Sequence, residues 1–196
     1  PPALNNPPSA AADSATTNED TAVTIPVLSN DSDRDGDTLT VQAVTQGARG
    51  TVTNNSTSVT YSPDANFNGA DSFTYTVSDG RGGTDTAAVA LTVIAVNDAP
   101  VAANDSATTV ESLGITITVL TNDTDVEGDA LTVGDFTQPS NGTVVRNADG
   151  TLGYTPTAGF AGTDTFTYRA SDGTLQSTPS TVTVTVLSLN AVARQM

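Results

Sequence analysis

Asp71-Ser72-Phe73-Thr74-Tyr75-Thr76-Val77-Ser78-Asp79-Gly80 returns 93 residues later as Asp164-Thr165-Phe166-Thr167-Tyr168-Arg169-Ala170-Ser171-Asp172-Gly173. In both copies every second residue is apolar or aromatic, which is the period of a strand with one face in a core. The Thr residues between them suit an outer face, being β-branched and polar. Working outward, Tyr61-Ser62-Pro63 answers to Tyr154-Thr155-Pro156 at the same offset, and Asn30-Asp31-Ser32-Asp33 to Asn122-Asp123-Thr124-Asp125 at an offset of 92. Charge divides with the repeat: residues 1–97 and 98–196 each hold 11 acids and 3 Arg. The sequence therefore reads as two copies of one module, with these boundaries.

Further alternating runs occur at Val23-Thr24-Ile25-Pro26-Val27, Leu39-Thr40-Val41 and Val89-Ala90-Leu91-Thr92-Val93. Turn chemistry separates them at Asp35-Gly36, Asn54-Asn55, Asn68-Gly69 and Asp79-Gly80. No stretch has a helical period with caps. About seven strands in roughly 90 residues predicts an all-β chain of two tandem Greek-key β-sandwiches. Asp71-x-Phe73-x-Tyr75-x-Val77 also resembles the opening of the penultimate strand of immunoglobulin domains, with Val77 where a cysteine would stand. That resemblance implies a tyrosine corner at Tyr75 and Tyr168, the ring in the core and the hydroxyl on backbone.

Composition limits the chemistry. The 196 residues carry 22 acids against 6 Arg, a formal charge of −16, with no His, Cys or Lys. Disulfides, thiolate metal sites, imidazole catalysis and Schiff-base chemistry are thereby excluded. Acidity of this degree opposes binding to nucleic acid or an anionic membrane surface. No apolar run approaches the ~20 residues of a membrane helix. Carboxylate, amide and hydroxyl oxygens remain, the ligand set of calcium. The opening Pro1-Pro2-Ala3 reads as linker, so a piece of a longer chain is expected.

The acids are patterned. Asp31-Ser32-Asp33-Arg34-Asp35-Gly36-Asp37 matches Asp123-Thr124-Asp125-Val126-Glu127-Gly128-Asp129. Carboxylates at every second position of an extended loop repel one another unless a divalent cation neutralises them. The opening resembles half an EF-hand loop, but Gln42 and Gly134 stand where a bidentate Glu is needed and the flanks are strands. In a Greek-key sandwich this loop, between the second and third strands, shares an end with the entering linker and with the Ser-Asp-Gly turn after the Tyr-bearing strand. Asn97, Asp98, Asp123, Asp125, Asp129 and Asp172 are therefore expected to converge on calcium at the module junction, with Glu19, Asp20, Asp64 and Asp71 approaching from the first module. Asp31, Asp33, Asp35, Asp37 and Asp79 are the corresponding ligands of the first copy. Asp71 and Asp164 read equally as structural hydrogen-bonding groups, and Asp13 and Asp105 as turn caps.

The pattern N-D-x-D-x-(D/E)-G-D-x-L-T-V, then N-G-T-V, Y-T-P and F-x-G-x-D-x-F-T-Y-x-x-S-D-G, covers nearly the whole chain twice. With the Asn97-Asp98-Ala99-Pro100 linker it resembles cadherin repeats, and more closely the bacterial cadherin-like or VCBS-type immunoglobulin-like repeats of RTX-type adhesins. The resemblance implies an extracellular, calcium-rigidified extender or adhesive segment at a bacterial surface, without catalysis, serving cell adhesion or biofilm. Its expected partners are neighbouring repeats, surface polysaccharide or another cell's adhesin. The leading linker departs from the pattern with Asn5-Asn6, and at the far end Asn190-Ala191 loses the aspartate while Arg194-Gln195-Met196 is unlike a linker. The RTX nonapeptide is missing. A glycosidase reading would need aromatic sugar platforms around paired acids, and Trp is absent. Calcium-dependent polysaccharide binding is the alternative function, with Phe136, the aromatic unmatched between repeats, as the residue to inspect. Homophilic association is a weaker third.

Overall fold

Alternation in the long strands becomes two sheets facing each other in each module. The computed structural model describes residues 4–189, so Asn190-Ala191 and Arg194-Gln195-Met196 lie outside the described residues. The chain divides into two compact units, between Val96 and Asn97. The first contains β1 (Asp13–Asn18), β2 (Val23–Ile25), β3 (Thr40–Val44), β4 (Gly50–Asn54), β5 (Val59–Pro63), β6 (Gly69–Ser78) and β7 (Thr84–Ile94). One sheet has the order β1-β7-β6-β3 and the other β2-β5-β4. The second unit repeats this with β8 (Asp105–Val110), β9 (Ile115–Ile117), β10 (Thr132–Phe136), β11 (Gly142–Arg146), β12 (Leu152–Pro156), β13 (Gly162–Ser171) and β14 (Ser180–Leu187). Its sheets are β10-β13-β14-β8 and β11-β12-β9. This is the all-β tandem of Greek-key sandwiches that the repeat predicts.

In β6 and β7 alternate residues are buried, with Phe73, Tyr75, Val77, Val89, Leu91 and Val93 facing Val59 and Tyr61 of the other sheet. Phe166, Tyr168, Val182, Val184, Leu152 and Tyr154 do the same in the second unit. Helical structure within the two sandwiches comprises short 3-10 turns at Val27–Ser29 and Val119–Asn122. One pairing departs from an all-antiparallel reading. β1 runs parallel to β7, Asp13 opposite Val89, and β8 runs parallel to β14. Each linker thus enters its module beside the start of the last strand, and the covered strand edge is closed to other chains.

Candidate metal centre

The acidic loop between β2 and β3 is not extended. Asp33 Oδ1 accepts the backbone N–H groups of Asp35 (2.8 Å) and Asp37 (3.2 Å), so the loop wraps around it. Gly36 sits at φ +77°, a left-handed conformation that glycine adopts without a Cβ clash. The wrapping brings one carboxylate oxygen each from Asp33, Asp35 and Asp37 within 4.8 Å of one another. In the second unit Asp125 Oδ1 accepts from Glu127 (3.1 Å) and Asp129 (3.0 Å), with Gly128 at φ +78°. Local Asx-turn chemistry therefore gathers the acids that alternation alone would have spread along the chain.

Linker and turn join the loop. The Asn6 N–H donates to Asp35 Oδ2 (2.7 Å) and the Asn5 amide to Asp79 Oδ2 (2.7 Å). The second unit repeats this with Asn97 donating to Asp172 (2.8 Å) and the Asp98 N–H to Glu127 (3.4 Å). Short bridges, Ser9 to Ser32 and Val101 to Thr124, fix each linker against its loop. Asp79 is 4% exposed. Burial works to raise its pKa, but the Arg81 N–H, the Asn5 amide and the Gly83 N–H together hold it below the usual carboxylate range. A Cβ on Gly83 would meet the Asp79 carboxylate and lie 2.8 Å from the Pro7 backbone, so only glycine allows the linker this close. Asp172 is likewise held low, first by the Asn97 amide and then by the Leu175 and Thr174 N–H groups. Asp35 is held low by the Asn6 N–H and amide, with further help from the Arg34 and Arg81 charges.

Several oxygens at these ends are buried with no hydrogen-bond partner: Asn5 Oδ1, Asp33 Oδ2 and Asp37 Oδ2 in the first unit, Asp98 Oδ2 and Asp125 Oδ2 in the second. A buried carboxylate oxygen without a donor is costly. A hard cation takes 6–8 oxygens at about 2.3–2.6 Å, so ligands on opposite sides of it lie about 4.8 Å apart. The spacing and donor chemistry of Asp33, Asp35 and Asp37 fit that group. In the second unit Asp125, Glu127 and Asp129 stand at the matching positions, with Asn97 and Asp98 of the linker and Asp172 of the turn beside them, but among the described residues only Asp33, Asp35 and Asp37 bring three carboxylate oxygens this close.

Asp31 and Asp123 stand apart from these groups. Asp31 points inward, accepting the Ala11 N–H (2.8 Å) and lying 2.9 and 3.0 Å from the Tyr75 hydroxyl. Asp123 holds Ala103 (2.8 Å) and Tyr168 (2.8 and 2.9 Å) in the same manner. Both tyrosine rings are fully buried, and their hydroxyls also reach backbone carbonyls, those of Ala11 and Val27 or of Ala103 and Val119. The ring in the core and the hydroxyl on backbone are as expected, and the hydroxyl also ties the last linker residues to the acidic loop. Asp13 and Asp105 face the same hydroxyls, and burial followed by the charge of Asp31 or Asp123 raises their pKa, partly offset by the tyrosine.

Asp71 and Asp164 are structural. Asp71 accepts from the Tyr61 hydroxyl (2.8 Å) and the N–H groups of Ala48 and Arg49, clamping the β3–β4 loop. Asp164 accepts from Tyr154 (3.0 Å) and the Asn141 N–H (3.0 Å). Burial and the Asp164 charge push the Tyr154 hydroxyl up to about 12. Glu19 lies at the other end of the first unit, 4% exposed. Its Oε1 accepts the Val96 N–H (2.5 Å), while Oε2 is buried without a partner. Asp20 accepts the Asn66 N–H at 3.0 Å. Phe136 is half-buried against the core, with the Arg146 guanidinium 5.8 Å from its ring centroid, and lines a pocket with Asp135, Arg169 and Pro179.

The fold defines a tandem of immunoglobulin-like sandwiches, each carrying acidic side chains where its linker enters, with Asp33, Asp35 and Asp37 gathered into a cluster in the first. A model of the bacterial Ig domain family matches residues 5–92 and 97–185, and the chain belongs to that family. Among solved structures it is similar to Drosophila N-cadherin EC1-4, at 12% identity and TM-score 0.53 over 93% of this chain and 50% of that one. Mouse cadherin-23 EC22-24 is similar at 19% identity and TM-score 0.51, over 94% of this chain and 65% of that one. An endo-fucoidan hydrolase from glycoside hydrolase family 107 matches at 26% identity and TM-score 0.39; the chain spans 30% of its length. No curated protein sequence matches the chain. No helix among the described residues is long and apolar enough to cross a membrane.

Proposed function

We propose that this chain is a calcium-binding segment of a large bacterial surface or secreted adhesin, stiffened by calcium so that it extends or adheres rather than catalyses. Asn5, Asp33, Asp35, Asp37 and Asp79 would hold calcium in the first module, and Asn97, Asp98, Asp125, Glu127, Asp129 and Asp172 in the second. Glu19 would contribute a separate ligand at its own end. The observation that carries the reading is the set of buried, partnerless oxygens on Asn5, Asp33, Asp37, Asp98 and Asp125, each beside other carboxylates. Calcium supplies the positive charge those oxygens lack, and in doing so fixes linker, loop and turn to one another. Thermal unfolding in excess calcium and in excess chelator tests it. The expected result is a rise in Tm of 10 °C or more with calcium, on the order of 2 kcal/mol of linkage; superimposable curves would refute it.

A further inference from the structure

The two calcium centres are not electrostatic equals. In the first module Arg81 Nη2 lies 2.9 Å from Asp37 Oδ1, the one ion pair between side chains among the described residues. The Asp37 side chain is 9% exposed and its Oδ2 has no partner, so the carboxylate has one oxygen engaged by an internal cation and one left over. Arg34 lies in the same loop and, with Arg81, stabilises the charge of Asp35. The second module has Val126 and Thr174 at these positions. Its described arginines are occupied elsewhere, Arg146 donating to the Gly134 carbonyl and Arg169 to that of Ser177. The linkers differ in the same sense, Asn6 standing where the second module has Asp98. Four carboxylates with two guanidinium groups therefore face five carboxylates with none (Asp33, Asp35, Asp37 and Asp79 against Asp98, Asp125, Glu127, Asp129 and Asp172).

We infer that Arg81, with Arg34 and Asn6, makes the first module a weaker calcium centre that fills at higher free calcium than the second. Affinity in oxygen-ligand loops follows the net ligand charge, and a cation already paired to a ligand must be outcompeted. An exposed guanidinium pair is worth at most about 1 kcal/mol, so Arg81 alone accounts for roughly threefold to fivefold, and the three differences together for tenfold or more. The inference rests on the calcium reading above.

Hydrogen exchange of the whole chain, followed by mass spectrometry against free calcium concentration, reads each loop separately. Protection of the peptide spanning 123–129 should reach its midpoint at a calcium concentration about tenfold or more below that for 31–37. Arg81→Thr, a change at a side chain 66% exposed, should lower the 31–37 midpoint threefold to fivefold and leave 123–129 unmoved. Combining it with Arg34→Val and Asn6→Asp should bring the two midpoints together. Coincident midpoints in the wild-type chain, or no response to either variant, would overturn the inequality while leaving calcium binding intact. No protection of either loop at any calcium concentration would remove both.

Discussion

At the scale of single residues the tyrosine hydroxyl beneath each acidic loop is the most consequential group that function does not require to be exposed. Tyr168 donates one proton among the Ala103 and Val119 carbonyls and both oxygens of Asp123. Tyr168→Phe leaves a buried carboxylate short of a donor, and its expected cost is about 1–3 kcal/mol in chemical denaturation, with or without calcium. A loss seen only in calcium would place Asp123 among the metal ligands instead. Asp13 allows a pH test with a definite sign. Its folded pKa is raised, so protonation favours the folded state: that contribution is fully present below the ordinary aspartate value near 3.9 and is lost as pH rises through the raised value. Asp13→Asn keeps the neutral form at all pH values. In chelator the variant should therefore unfold at a higher temperature than wild type at pH 7, and the two curves should converge near pH 3. A lower melting temperature for the variant at pH 7 would contradict the assignment.

At the scale of elements, the aspartate near the start of each tyrosine-bearing strand holds the loop between the third and fourth strands of its module. Asp71 accepts from Tyr61, Ala48 and Arg49 and ties β5, the β3–β4 loop and β6 into one unit. Asp71→Ala should destabilise the first module by about 2–3 kcal/mol, equally in calcium and in chelator, because the residue touches no proposed ligand; calcium-dependent destabilisation would argue the reverse. The strands themselves were legible because Phe73, Tyr75 and Val77 keep a strict period of two and the second copy repeats it in register. The parallel pairing of β1 with β7 was not, since Asp13–Asn18 carries no mark of direction. The acidic loops were legible as clusters but not in shape: alternation suggests an extended row, and the Asx turn at Asp33, with glycine at position 36, folds it instead. Asp31 and Asp33 look alike in sequence. One faces the tyrosine and the other the cluster because the 3-10 turn at Val27–Ser29 fixes where the loop begins, a geometric fact that no residue type announces.

At the scale of the whole molecule half of the 22 acids lie in the two acidic loops, at Asp98 and in the two Ser-Asp-Gly turns. On the proposed reading calcium sets both the stability of each module and the stiffness of the path from one to the next. Asp98→Ala combined with Asp125→Ala should shorten the maximum dimension seen by small-angle scattering in calcium, while circular dichroism keeps the β-sheet signal of two folded modules. An unchanged scattering profile would separate calcium binding from rigidity. Anomalous diffraction from crystals grown with calcium tests calcium binding at the two clusters without an intermediary. Calcium peaks should be bound by Asp33, Asp35 and Asp37 and by Asp98, Asp125 and Asp129, with the oxygens that lack hydrogen-bond partners among the ligands. A structure at saturating calcium with no anomalous signal at either cluster, and water or arginine satisfying those oxygens, would contradict it.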